Sequence, residues 1–158
     1  MTTKTLLLSI RPQYAQMIFD GTKAVELRRI RPRVTPGDLV LVYVTSPIKA
    51  LVGTVEVNEV LADAPDVLWN EVKHRAGISF EEFEKYYDGA LTGFGIVCTN
   101  PRCLHQALTL DYVRHHWSTF SPPQVYRYLT SDEVSFIFKR QPNRHASESR
   151  GLASYLSA

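Results

Sequence analysis

Apolar positions along this chain fall into strand-length runs cut by turn residues, with stretches of helical spacing set between them. Lys4–Ile10 is rich in Leu and Ile and reads as a buried first strand. Arg11-Pro12 breaks it. Pro12 suits a first helical position, Tyr14, Met17 and Ile18 follow at helical spacing to Asp20, and Gly21 supplies a left-handed cap. Ala24–Arg29 then alternates, with Val25 and Leu27 on one side and Glu26 and Arg28 on the other, which predicts a half-buried strand. Pro36-Gly37-Asp38 marks a turn, and Leu39–Val44 reads as a strand well inside a sheet, ended by Pro47. Ala50–Val60 shows period-two spacing over a length that demands strong curling or a bulge, as small barrels do.

Residues 65–88 read as helical. Pro65 opens one piece containing Leu68, Trp69 and Val72, and Gly77 closes it. Ser79 with Glu82 three positions later forms a capping box for a second piece whose apolar side carries Phe80, Phe83, Tyr86 and Tyr87. Leu91–Cys98 is a further strand, flexed by Gly93 and Gly95, and the reading is less definite after Pro101. Beyond that point Leu108–Val113 fits a strand or a short helix, Ser121-Pro122-Pro123 a turn, and Val125–Leu129 a strand or docked edge. The stretch from Thr130 through Phe138 fits helix and strand equally. The pattern as a whole predicts one α+β domain, residues 1–140, built round a small curved sheet, followed by a polar tail over 141–158.

Composition narrows the class. An apolar share of 44% with 22% charged residues is that of an ordinary globular chain rather than a disordered one. No apolar run is long enough to span a membrane, and the Leu6-Leu7-Leu8 run stops at Arg11 before a signal-peptide core could form, so cytoplasmic residence without membrane contact is the expectation. Cys98 and Cys103 are expected to be free thiols, with no metal and no cofactor. Net charge is only +2, but it is segregated: residues 1–50 hold eight Lys/Arg against three Asp/Glu, and residues 51–100 hold three against nine. Such segregation makes a positive face even in a nearly balanced chain.

The candidate chemistry sits in the basic part. On a strand, Glu26 and Arg28 share a face, and Lys23 stands at its start just after the glycine cap. An ammonium, a carboxylate and a guanidinium so placed can clamp a phosphate and hydrogen-bond a base edge, or form a surface ion-pair ladder without a ligand. Arg28, Arg29, Arg31 and Arg33 make a backbone-phosphate footprint, and Ser9 and Arg11 flank a helix start that suits an anion. Trp117, next to His115-His116, is the candidate exposed stacking platform. A lysine partly desolvated near other cations has a lowered pKa and can act as nucleophile or base, with Glu26 as its holder or proton carrier. No nucleotide-phosphate loop, zinc-protease helix, nucleophile elbow or helix-turn-helix signature occurs.

Taken in order, Leu8-Ser9-Ile10-Arg11-Pro12-Gln13-Tyr14, then Gly21-x-Lys23-x-x-Glu26-x-Arg28, Pro36-Gly37-Asp38 and the strand from Gly53 resemble the ASCH family of small PUA-like domains over roughly residues 5–130. The resemblance implies a PUA-like small curved β-barrel with flanking helices and a cleft beside Gly21–Arg28. It implies binding of RNA or another nucleic acid or nucleotide. In members that hydrolyse N4-acetylcytidine, the motif lysine works with a threonine, matched here by Glu26, and with a glutamate of the helical insertion. That glutamate is expected near Ala76, with Glu71 or Glu81 as substitutes. The leading expectation is therefore RNA or modified-nucleotide binding through a basic cleft. Its rivals are a hydrolase using Lys23, acting on RNA or a nucleoside amide, and a protein-interaction or regulatory module.

Overall fold

A computed structural model describes residues 3–140, so the tail expected over 141–158 lies outside the described residues. The elements run β1 (Thr5–Ile10), α1 (Pro12–Asp20), β2 (Val25–Arg28), β3 (Leu39–Val44), β4 (Ala50–Asp63), α2 (Pro65–Val72), α3 (Phe80–Tyr86), β5 (Gly93–Thr109), α4 (Leu110–His116), β6 (Arg127–Tyr128) and α5 (Ser131–Lys139). The six strands form one curled half-barrel in the order β2-β5-β4-β3-β1-β6, and β1–β3 is its parallel pair.

The curl has a local cause. The β4–β5 ladder slips register near Leu51/Gly53, Thr54/Glu56 and Val57/Glu59, and each slip adds twist. Gly53 permits the tightest of these. A methyl group there would meet the Arg102 carbonyl oxygen at 2.5 Å and the Phe19 ring at 2.5 Å. Contrary to expectation, β5 does not end at Cys98 but runs on through Pro101 to Thr109. Pro101 falls between the Glu56–Thr99 and Thr54–Arg102 pairings, inside a bulge where its missing N–H is not needed, and Asn100 turns the corner at a φ of 49°. The continued strand then delivers Leu110 into a helix capped by Thr109, which resolves the Leu108–Val113 ambiguity.

Three apolar clusters hold the elements. Leu6, Leu8 and Ile10 face α1 and the inside of the curl, while Leu7 faces the cluster that packs α4 and α5 on the other side. Val25 and Leu27 of β2, with Val97 of β5, pack under the α2–α3 pair through Leu68, Val72, Phe83 and Tyr87. β2 was expected to be half-buried, and this is corrected. Glu26 on its other face is only 8% exposed, because that face lines the inside of the curl rather than meeting solvent. The Thr130 stretch is a helix, fixed by a capping box between Thr130 and Glu133 that the strand reading had no means to satisfy.

Candidate functional site

Four separate pieces of chain converge on a cleft of about 200 Å³ at the open side of the half-barrel. The end of β1 supplies Ser9 and Ile10, the start of α1 supplies Arg11 and Tyr14, β2 with its lead-in supplies Lys23, Glu26, Leu27 and Arg28, and the α2–α3 region supplies Ile78, Glu82 and Tyr86.

Local sequence explains the convergence. Gly21 ends α1 in the left-handed conformation at φ 88°, and the backbone N–H of Lys23 donates to Met17 at 3.0 Å, so the chain turns back beneath α1. Ala24 and Val25 donate to the Arg75 carbonyl at 2.8 and 3.2 Å, which docks the loop after α2 against the start of β2. Lys23 is thereby driven inward. It is 3% exposed, and its Nζ donates to the Ala76 carbonyl at 2.5 Å and lies 5.2 Å from the centre of the Tyr14 ring. Burial lowers its pKa, with the nearby Arg28 charge adding to the effect and Glu26 opposing it.

Glu26 stands between the two cations. Its Oε1 accepts from Arg28 Nη2 at 2.9 Å, and its Oε2 lies 4.0 Å from Lys23 Nζ, beyond hydrogen-bond length. Arg28 is heavily committed to the protein: Nη2 also donates to the Ser9 carbonyl at 3.0 Å and Nη1 to the Val125 carbonyl at 3.3 Å. Among the described residues its Nε is buried without a partner. These bonds span the seam between β2 at one edge of the sheet and the β1–β6 edge, where no strand ladder exists. Burial raises the pKa of Tyr14, helped by the Glu82 charge, and burial likewise raises that of Tyr86, so both phenols stay protonated.

The sequence candidates divide accordingly. Ser9, Arg11, Lys23, Glu26 and Arg28 come together in the cleft. Arg29 sits beside it and donates to the carbonyls of Tyr86 and Asp88 at 2.6 and 3.0 Å. Arg31 lies over the Phe94 ring, and Arg33 is exposed, its carbonyl accepting the Tyr128 hydroxyl. Trp117 does not line the cleft. It is half-buried between Phe120 and Phe136 in the α4–α5 cluster.

Tyr14, Ile78, Glu82 and Tyr86 were not among the candidate site residues, and the cleft includes all four. Glu82 was read only as the capping partner of Ser79, a bond it does make. The signal that could have found it is the spacing of Glu82 and Tyr86, four residues apart and hence on one face of α3, with Ile78 just before its cap. The acidic residue of the helical region is therefore neither at Ala76, whose carbonyl receives Lys23, nor at Glu71 or Glu81, which lie outside the cleft lining. Among the described residues no cluster of three or more His, Cys, Asp or Glu could hold a metal, and no helix is long and apolar enough to cross a membrane.

A family model described as the ASCH domain matches residues 8–102. The ASCH domain-containing ribonuclease of Zymomonas mobilis is 24% identical over 131 residues, 83% of this chain and 88% of that protein. The crystal structure of ASCH from Zymomonas mobilis superposes with a TM-score of 0.83 at 22% identity, covering 89% of this chain and 97% of that one. Human THYN1, crystallised with DNA containing 5-methylcytosine, superposes with a TM-score of 0.60 at 11% identity, covering 90% of this chain and 99% of that one. At these identities the structural likenesses establish the fold, a PUA-like α+β half-barrel.

Proposed function

Because the chain belongs to the ASCH domain family, we propose that it binds single-stranded RNA, with the cleft of Lys23 and Glu26 as the recognition centre and Arg29, Arg31 and Arg33 on the sugar–phosphate backbone. The observation that carries this reading is the convergence of Ser9, Arg11, Lys23, Glu26 and Arg28 from distant segments onto one cleft, with three further arginines in the loop that follows β2. A surface ion-pair ladder needs none of that depth. The ribonuclease of Zymomonas mobilis, similar along most of both chains, points to the same class of ligand, as does the nucleic acid bound by THYN1.

The test is a mobility shift of end-labelled single-stranded RNA at increasing salt. Affinity falls with a log–log slope of about −0.7 for each phosphate neutralised. Arg31→Ala makes that slope shallower by about 1, while Lys23→Ala weakens binding without changing it. Absence of binding at low salt refutes the reading.

One observation favours a second reading, hydrolysis. Burial lowers the pKa of Lys23, which raises the share of neutral amine able to take a proton from a nucleophile. The same incubation resolved on a denaturing gel tests it: shortened RNA made by the wild type and not by Lys23→Ala supports cleavage, and intact RNA in both leaves a binding domain.

A further inference from the structure

We propose that a pocket on the α2–α3 face, separate from the cleft, receives an arginine side chain from a basic segment of a partner protein. The proposal goes beyond RNA binding and does not rest on it. The pocket, of about 380 Å³, lies between α2, α3 and the turn that leads toward β5. Its inner part is aromatic. Phe83 and Tyr87 are 2% and 3% exposed, and Trp69 stands 5.0 Å from Phe83 and 5.4 Å from Phe80, ring centre to ring centre. The Tyr87 hydroxyl lies within hydrogen-bond reach of the Arg28 and Phe94 carbonyls, at 3.2 and 3.1 Å, which holds that ring in place.

The mouth is acidic. Asp66, Glu84 and Asp88 are exposed members of the lining, and the lining contains no Lys or Arg. Lys73 at the end of α2 and Lys85 of α3 lie outside it. Among the described residues none of the three carboxylates is in an ion pair, and Arg29 meets Asp88 only at its backbone carbonyl.

Rings alone would take any flat or apolar group, and carboxylates alone would be a solvated face. Together they select a cation, which ring faces attract and carboxylates neutralise. They also exclude RNA, because a base stacked on these rings would carry its phosphates into the acidic mouth. Among cations, arginine matches both halves. Its planar guanidinium stacks on a ring while its N–H edge pairs with a carboxylate, whereas a lysine ammonium is more strongly hydrated and has no face to stack. The volume falls near the low end of the roughly 300–1,000 Å³ of enclosing sites, which suits a side chain with its flanking backbone. α3 thus serves two surfaces, with Glu82 and Tyr86 in the cleft and Phe83, Glu84 and Tyr87 in the pocket. The occupant does not compete for the cleft.

The experiment titrates the full chain into a fluorescein-labelled Gly-Ser peptide carrying three arginines, read by fluorescence anisotropy. The same peptide with lysine, or with neutral citrulline, at those positions is titrated alongside. The arginine peptide is expected to bind about fivefold more tightly than the lysine peptide and at least about tenfold more tightly than the citrulline peptide. Trp69→Leu keeps an apolar group against Phe83 but removes the ring face, and should weaken the arginine peptide about fivefold. Should that variant fail to fold, Glu84→Gln combined with Asp88→Asn alters only exposed groups and should weaken it about tenfold. In the wild type, the Trp69 indole N–H resonance should shift with the arginine peptide and not with single-stranded RNA. Equal binding of the arginine and lysine peptides, or no binding, overturns the proposal. So does a folded Trp69→Leu that binds normally, which would reduce the pocket to a charged surface. An indole shift with RNA overturns it too and assigns the pocket to nucleic acid.

Discussion

Lys23 is the residue at which fold and chemistry pull against each other. Its ammonium is costlier to hold in the folded chain than in the unfolded one, because burial outweighs the attraction of Glu26. The unfolded chain therefore binds more protons between the lowered folded value and the ordinary lysine value of 10.5, and stability rises with pH across that window. Comparison with Lys23→Met isolates this contribution. Thermal unfolding of the wild type relative to the variant should shift upward from pH 7 to pH 9.5, and a constant difference would show that Lys23 titrates alike in both states. Cys98 gives a complementary case. Burial, aided by the Glu26 charge, pushes its thiol up to about 12, so thiolate is scarce near neutrality. Alkylation by iodoacetamide at pH 8 should be at least tenfold slower in the folded protein than after denaturation, read by mass of the peptide containing Cys98.

The elements owe their shape to a few positions where backbone meets backbone. Gly53 is the sharpest, since the atom opposing an added methyl is the Arg102 carbonyl oxygen, which cannot rotate away. Gly53→Ala should cost about 3 kcal/mol, at the upper end of overpacking effects, measured by urea unfolding. Thr130→Ala, which removes only a cap, should cost about 1 kcal/mol. Elements that announce themselves through local chemistry were legible in the sequence: Pro12 and Gly21 bracket α1, and Ser79 with Glu82 opens α3. What was not legible depended on a partner strand. β5 runs past Cys98 and through Pro101 because the bulge against β4 accommodates the proline, and Thr130–Phe138 is held as a helix by its capping box together with the apolar cluster that buries Ile137. The cleft divides the same way. Lys23, Glu26 and Arg28 share one short stretch and were visible together, whereas Tyr14, Glu82 and Tyr86 reach the cleft only through tertiary packing of α1 and α3. Glu82 also had an adequate local explanation in its cap, which is why its second role was hidden.

At the scale of the whole molecule, the half-barrel has a seam, and a site residue crosses it. No ladder joins β2 to the β1–β6 edge, yet Arg28 reaches Ser9 and Val125 from its pairing with Glu26. Removing it would leave a nearly buried carboxylate without its cation, a loss of about 3–5 kcal/mol for a buried pair. Arg31, three residues along and exposed, carries no such duty. The two arginines therefore separate stability from binding. Arg28→Ala should unfold at markedly lower urea concentration, with faster amide exchange at residues 123–129. Arg31→Ala should stay within about 0.5 kcal/mol of the wild type and lose affinity for RNA with a shallower salt slope. If Arg28→Ala kept full stability while losing RNA, its guanidinium would belong to the ligand rather than to the seam.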